Sequence, residues 1–369
     1  MPFARLQPIR RLAAIGLALL CGCQPTEPIR IAFIGSPSGR VSELAIDGRD
    51  GAQLAIETLN ARTGARYELR LHDDVHAVTQ AADAIDAAAD EGDAFAIGPM
   101  TSVDAKSLVS AATRRRLVLI SPTANTDDLR GIDDYFFRVI PSAGLGAQAL
   151  AEAAIARGAR SAAVMTDWRN QAYSESFATA FANRFQALGG TLGAVAHDAS
   201  SQNPDYAKVA ARLLATHPQI VLLVCSAPDA AVVAQQLHRL DPGVHLAIAS
   251  WAANLKLLQL GGQAIEGALV LQALDLGSQA PAYVDFLKRF TARFGKPPSA
   301  AALFSYEAAM LGAEALRRKP DAQSLRDTLR VPGNWPGLQE PLVLDAFGDS
   351  TSRFRLSEVR GGRFMMLPS

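Results

Sequence analysis

Two short polar stretches hold residue types that bind an anion without a metal or a charged side chain. In AIGPMTS, Thr101 and Ser102 follow a turn at Gly98 and precede a helical pattern; in LISPTANT, Thr123 and Asn125 follow an apolar run. Hydroxyls, a side-chain amide and the first N–H groups of a helix, at its positive end, together offer several donors to a carboxylate. Taken singly, Thr101-Ser102 caps a helix and Ser121-Pro122 turns the chain. As a pair they predict a binding edge. The apolar runs 94–97 and 117–120 read as buried, neighbouring parallel strands, and such strands open their carboxyl ends on the same side. The loop at 35–40 ends another strand there, so Ser36, Ser38 and Arg40 face the same cleft.

Catalytic chemistry is scarce. The chain has no Walker loop and no HExxH, and Gly35-Ser-Pro-Ser-Gly39 places proline where a nucleophile would stand. Gly144, Gly146 and Ala149, with Asp167 about 20 residues on, have dinucleotide-binding spacing, but Pro141 and Ser142 make the preceding turn loose. His72-Asp73-Asp74-Val75-His76 carries metal-ligand types at the end of an alternating strand, which reads as a solvated strand end. No enzyme activity, cofactor or metal is expected.

The elements that must position these loops follow a regular rhythm. Strand IRIAFIG, helix 48–60, strand YELRLHDD, helix 81–90 and the strand around Phe95 form a βαβα run, which implies a parallel sheet covered on both faces. The rhythm restarts after Pro141: helices 145–157, 174–188, 205–216 and 229–240 alternate with SAAVMT, TLGAVA, QIVLLVC and HLAIAS. A strand at 268–273, helices 282–294, 300–317 and 324–329, a Gly/Pro-rich loop at 332–337 and strands around PLVLDAF and FRLSEV complete the chain. Two such sheets require two domains. With 369 residues, 49% hydrophobic and 20% charged, the chain can bury two real cores. Its 36 basic and 36 acidic residues leave no net field for nucleic acid.

The N-terminus reads as a targeting segment. Arg5, Arg10 and Arg11 precede a nine-residue apolar core at 12–20, far short of the roughly 20 residues that span a bilayer. Leu20-Cys21-Gly22-Cys23 resembles the bacterial lipoprotein box, making residues 1–22 a lipoprotein signal peptide, Cys23 the lipidated first mature residue and 23–28 a tether. Gln24, where aspartate would mark retention at the inner membrane, implies by resemblance to Gram-negative lipoproteins the inner leaflet of the outer membrane. The signal carries three arginines and no acid, so the mature chain has 33 basic against 36 acidic residues and a formal charge of −3. Cys225 then has no disulfide partner and is expected in a core.

The motifs GAQLAIETLNA, LRLHDDV, AIGPMTS, LVLISPTANTDDL, DYFFRVIPS and AFGDSTSRFRLSEVRGGRF together resemble the type I periplasmic binding proteins, in particular the leucine-binding-protein-like, branched-chain amino acid receptors of ABC importers. The resemblance covers nearly the whole mature chain. It implies two Rossmann-like lobes, 29–139 plus 275–337 and 140–274 plus 338–369, joined by a three-crossover hinge near 139–142, 272–277 and 337–341. A ligand in the cleft closes the lobes, and a permease reads the closed form. The implied partners are a small-molecule ligand, an ABC permease and a membrane reached only through the lipid anchor, for a monomer in the periplasm.

Matched position by position, the family's carboxylate-binding serine is Ser102, preceded by Thr101. Thr123 stands at the residue offering backbone, and Asn125 where threonine is common. Tyr173-Ser174 resembles a Tyr-Gly step that walls the ligand. The family's ammonium-binding tyrosine and acid end two later strands, which here read Cys225-Ser226-Ala227 and Ser250-Trp251-Ala252, with no carboxylate. An ammonium would then need a replacement acid, Asp167 or Asp229. Otherwise the ligand lacks one, and Trp168, Tyr173 and Trp251 make that half of the cleft broad and apolar, suited to an amide, an aromatic compound or a larger lipid-like molecule. A sensory or scaffold role outside transport is the reading from a different class.

Overall fold

The computed structural model of the chain describes residues 27–36, 42–62, 64–73, 78–103, 105–197, 204–319 and 323–368. The signal, Cys23, Ser38, Arg40 and Asp104 lie outside the described residues. A first run holds β1 (Ile29–Ile34), α1 (Ser42–Arg62), β2 (Tyr67–His72), α2 (Val78–Asp90), β3 (Ala96–Ile97), α3 (Ala105–Arg115), β4 (Leu119–Ser121) and β5 (Phe136–Arg138). A second holds α4 (Ala143–Ala156), β6 (Ser161–Thr166), α5 (Gln171–Ala187), β7 (Thr191–His197), α6 (Tyr206–Leu214), β8 (Ile220–Val224), α7 (Ala227–Leu240), β9 (His245–Ile248), α8 (Leu255–Gly261) and β10 (Leu269–Gln272). The chain ends with α9 (Pro281–Phe294), α10 (Ala300–Arg318), α11 (Leu325–Leu329), β11 (Asn334–Trp335), β12 (Leu342–Val343), β13 (Arg355–Arg360) and β14 (Arg363–Met366). No described helix is long and apolar enough to cross a membrane.

Two large sheets result among the described residues, as the repeated βα rhythm predicts. The first has the order β2-β1-β3-β4-β5 and is parallel throughout. The second has the order β14-β13-β10-β9-β8-β6-β7 and is parallel except at β13 and β14. Alternate side chains of each strand enter opposite cores, as the period of two demands. In the first sheet Ile31, Phe33, Phe95 and Ile97 pack against α1, α9 and α10, while Ala32, Ile34 and Ala96 pack against α2 and α3. In the second, Ala163, Met165, Leu223 and Ile248 face α6, α7 and α8, and Ala162, Val164 and Leu222 face α4 and α5. Cys225 is buried just past the end of β8 and forms no disulfide.

Some elements depart from the pattern-based expectation. Helix α1 starts at Ser42, not at residue 48, so Gly48 and Gly51 lie inside it. A Cβ on Gly51 would come within 1.9 Å of the Ala302 carbonyl oxygen, so α10 crosses α1 at backbone distance. The apolar run PLVLDAF gives only the two residues of β12. It pairs antiparallel with β11, inside the stretch read as a loop. Gly144 and Gly146 serve packing: their Cβ positions are occupied by Asp127 Oδ2 at 2.2 Å and Leu271 Cδ2 at 2.5 Å.

Candidate functional site

A cavity of about 380 Å³ lies where the carboxyl ends of the two sheets face each other. From the first sheet it is lined by Met100, Thr101, Thr123, Asn125 and Ile140, and from the second by Asn170, Tyr173, Ser226, Ser250 and Trp251. The start of α1 and the start of α10 close two further sides, through Ser42, Glu43, Leu44 and Asp47 and through Ser299, Ala300, Ala301 and Phe304. A wider surface groove of about 680 Å³, lined by Gln148, Glu175, Asn183 and Arg184 among others, flanks α5 and reaches none of these strand-end residues.

On the first-sheet side the two loops are stitched together by their own hydroxyls. Ser102 does not line the cavity. Its Oγ accepts from the backbone N–H groups of Asn125 at 3.1 Å and Thr126 at 3.3 Å, which fixes the loop after β4 against the loop after β3. Thr123 Oγ1 donates to the Met100 carbonyl at 2.6 Å, and Asn125 Nδ2 donates to the Pro141 carbonyl at 3.1 Å. Thr101, Thr123 and Asn125 therefore reach the cavity from a braced frame, with Ser102 behind them.

On the second-sheet side Tyr173 is buried and meets Trp251 edge-on, ring centroids 6.0 Å apart at 88°. Burial pushes its phenol pKa up, against the Ser250 hydroxyl and the Trp251 backbone nearby, and its Oη makes no hydrogen bond of standard geometry. Trp168, predicted as a cavity wall, is 41% exposed and is not among the lining residues. Asp167 and Asp229 do not line the cavity either. Both are buried and bonded to Arg169, and Asp229 also accepts from Tyr206 and, at 2.6 Å, from Ser226 Oγ. Burial alone would raise the Asp229 pKa. The hydrogen bonds from Ser226, Tyr206 and Arg169 outweigh it and hold the carboxyl below its usual range.

Residues 28–363 match the family described as Periplasmic binding protein. The chain is a periplasmic binding protein. It is 24% identical over 351 residues to a Leu/Ile/Val-binding protein of Rhizobium johnstonii, covering 91% of this chain and 93% of that one. Its fold matches a leucine binding protein of Thermotoga maritima with a TM-score of 0.82 at 24% identity, covering 92% of this chain and 98% of the other. A solute binding protein of an ABC transporter from R. palustris, in complex with benzoate, matches with a TM-score of 0.81 at 21% identity, over 92% and 96% of the two chains. At such identities the structural likeness speaks for the type I fold, and the family for solute binding in the periplasm on behalf of a transporter.

Several lining residues of this periplasmic binding protein escaped the sequence reading. Glu43 and Asp47 belong to the extra turns by which α1 precedes Gly48, and Lys256 belongs to the short helix α8, which no periodic pattern announced. Glu43 and Lys256 form an ion pair that crosses from α1 to α8 over the cleft, both ends partly exposed. Asp47 pairs with Lys296 at 2.5 Å, and Lys296 also reaches Asp50 at 3.1 Å. Phe304 and Ala301 come from one face of α10, where core and cleft positions look alike in sequence. Away from the cleft, His72, Glu91 and Asp93 gather within 4.8 Å of one another, but Arg70 already serves both carboxylates as their cation.

Proposed function

We propose that this chain is the capture component of an ABC importer: it closes two lobes around a small, amino-acid-like carboxylate or amide and presents the closed form to a permease. The observation that carries this reading is that strand-end loops of both sheets line one shared cavity, because a ligand touching both lobes binds the closed arrangement better and shifts the population toward it. The lobes expected at 29–139 plus 275–337 and at 140–274 plus 338–369 shift at the third crossover: β12 pairs with β11 and Leu338, Leu342 and Leu344 pack in the first-sheet core, so residues 338–350 go with the first lobe and the chain crosses to the second before β13, the crossovers acting as hinge. Thr101, Thr123 and Asn125, braced by Ser102, receive the carboxylate or carbonyl; Tyr173, Trp251 and Ser226 wall the rest. The chain works as a monomer. Residues 1–22 direct export and Cys23 carries lipid, holding the protein at a membrane facing the periplasm, with the outer membrane favoured.

A second reading, a larger apolar ligand, draws on the Tyr173–Trp251 wall and on Phe304, Met100 and Ile140 in the lining. One experiment separates the two. The purified protein, unfolded and refolded to strip carried ligand, is melted with leucine, valine, phenylalanine, their amides, their deaminated acids and a set of apolar compounds. A ligand at 100 times its Kd adds about 2.7 kcal/mol, a shift of several degrees. Stabilisation by small carboxylates or amides upholds the first reading, and stabilisation by bulky apolar compounds alone replaces it with the second. If nothing stabilises the protein, a sensory or scaffold role outside transport takes over.

A further inference from the structure

One hydroxyl on the second-sheet wall is not free to choose its hydrogen-bonding role. Ser226 lines the cavity at the N-cap of α7, where a serine side chain usually accepts from a backbone N–H of the first turn, yet it makes no cap hydrogen bond. Its Oγ instead donates to Asp229 Oδ2 at 2.6 Å, three residues on in that turn. Asp229 is buried and also accepts from Tyr206 Oη and Arg169 Nη2. Arg169 is itself fixed, its Nε and its backbone N–H each donating to Asp167 Oδ1 at 2.8 Å. Three donors converge on Asp229 and hold its carboxyl ionised.

An ionised carboxylate can only accept, and a serine hydroxyl has one proton. With that proton spent on Asp229, Ser226 meets a ligand only through the lone pairs of Oγ. Its polar neighbours on this wall keep a choice. Asn170, whose Oδ1 is buried without a hydrogen-bond partner, can turn either side of its amide to the cavity. The Tyr173 and Ser250 hydroxyls lie against each other and can exchange donor and acceptor roles. The polarity of this wall is therefore set at Ser226, by a carboxylate that does not itself line the cavity.

We infer that Asp229, steadied by Arg169, is a specificity-determining positioning residue: by taking the Ser226 proton it makes this wall read a hydrogen-bond donor, an N–H or O–H, on the ligand. The inference rests on the reading of this cleft as the ligand site. A carbonyl at the same point would set two acceptors against each other, and a site built to bond a donor rejects the analogue that lacks it.

Isothermal titration of the refolded protein with pairs matched in size and charge tests it: the 2-hydroxy acid against the 2-oxo acid on the leucine, valine and phenylalanine skeletons. The hydroxy acid should bind at least tenfold more tightly. Asp229→Ala leaves Arg169 its partner Asp167 and frees the Ser226 proton, so the preference should move at least tenfold toward the oxo acid. Ser226→Ala should abolish the preference, and it decides the matter if the first variant fails to fold. A merely structural role for Asp229 would weaken both acids alike and keep their ratio. That result overturns the inference, as does wild-type protein that binds the oxo acid as tightly as the hydroxy acid. Where an amide binds and neither acid does, the amide against its methyl ester replaces the pair, with the same expectation. Where the amino acid alone binds, Ser226→Ala should cost it at least tenfold, and an unchanged affinity overturns the inference. Binding only by compounds without a donor group also overturns it and leaves solute binding in place. Absence of binding by every compound, here and in the melting panel, removes the ligand-site reading and the inference with it.

Discussion

Arg138 donates from Nε to Asp349 Oδ1 at 2.6 Å, with the arginine 0% and the aspartate 7% exposed. The pair does more than neutralise itself. Arg138 Nη1 donates to the Thr126 carbonyl at 2.7 Å, and Asp349 Oδ2 accepts from the Gly131 N–H at 2.8 Å. Thr126 closes the loop that carries Thr123 and Asn125, and its own Oγ1 donates to the Ala172 carbonyl at the start of α5, 3.1 Å away. A charge pair at the end of β5 thus anchors a cavity-lining loop and, through that loop, a contact with the start of α5.

Removing one partner should therefore cost far more than removing both. Asp349→Asn leaves a buried guanidinium without its counterion, and the expected loss is about 3–5 kcal/mol. Pairing Arg138→Met with Asp349→Leu exchanges the ion pair for apolar volume and should recover most of that loss. Urea unfolding of the two single variants and the double variant measures the coupling. Simple additivity would show that the pair does not act as a unit.

Ser102 makes a different prediction, because its hydroxyl accepts from two backbone N–H groups and does not itself line the cavity. Ser102→Ala leaves the Asn125 and Thr126 amides without that acceptor, and unsatisfied buried donors cost about 1–3 kcal/mol each. Melting temperature should fall by several degrees in the unliganded protein, and ligand affinity should fall at least tenfold as the loop loses its position. An unchanged melting temperature with lost affinity would instead mean that Ser102 touches the ligand directly.

Much of this architecture was legible in the sequence, for physical reasons that also explain what was not. Buried parallel strands such as QIVLLVC announce themselves as short branched runs, and the polar loops that follow them are forced to one edge of the sheet. Thr101, Thr123, Asn125, Tyr173, Ser226 and Trp251 were legible because each follows such a strand, and the structure gathers all six around one cavity. Residues contributed by the starts of α1 and α10 carried no comparable signal. A charge in a first helical turn serves the dipole as readily as a ligand, so nothing in the local pattern set Glu43 apart, and Asp47, a turn further along α1, carried no signal of its own. The fate of Asp167 and Asp229 was also illegible. Their partner Arg169 is near in sequence to one of them only, and its reach to the other depends on how the ends of β6 and β8 lie side by side.

Glycines inside α1 give a third test. The pattern starting at Gly48 read as a helix beginning there, whereas the structure uses Gly48 and Gly51 to let α10 approach. Gly51→Ala should raise intrinsic helix propensity by about 1 kcal/mol yet destabilise the protein, because its Cβ would lie 1.9 Å from the Ala302 carbonyl oxygen and backbone must move. Chemical denaturation should show a net loss of about 1–3 kcal/mol. A stabilised variant would place the two helices farther apart than this packing allows.

Glu307 sets the pH dependence. It is buried in α10, its Oε1 accepts from the Leu338 N–H at 2.7 Å, and burial raises its pKa to about 7 against the lowering effect of that hydrogen bond. Burial likewise raises Asp134 to about 6, with Asp349 adding repulsion. Both folded pKa values lie above their unfolded values, so the folded state binds these protons more tightly. Their contribution to stability is fully present below the unfolded pKa and is lost as pH climbs through the folded one. For Glu307 that window runs from 4.5 to about 7, and the loss across it is at most about 3 kcal/mol. Melting temperature should fall from pH 5 to pH 8. Glu307→Gln keeps an acceptor for Leu338 without the titration, so its curve should be flatter than the wild-type curve between pH 6 and 8, where Asp134 completes its ionisation in both proteins alike, and should cross above the wild type by pH 8. Parallel curves would mean that Glu307 already ionises near its usual pKa in the fold.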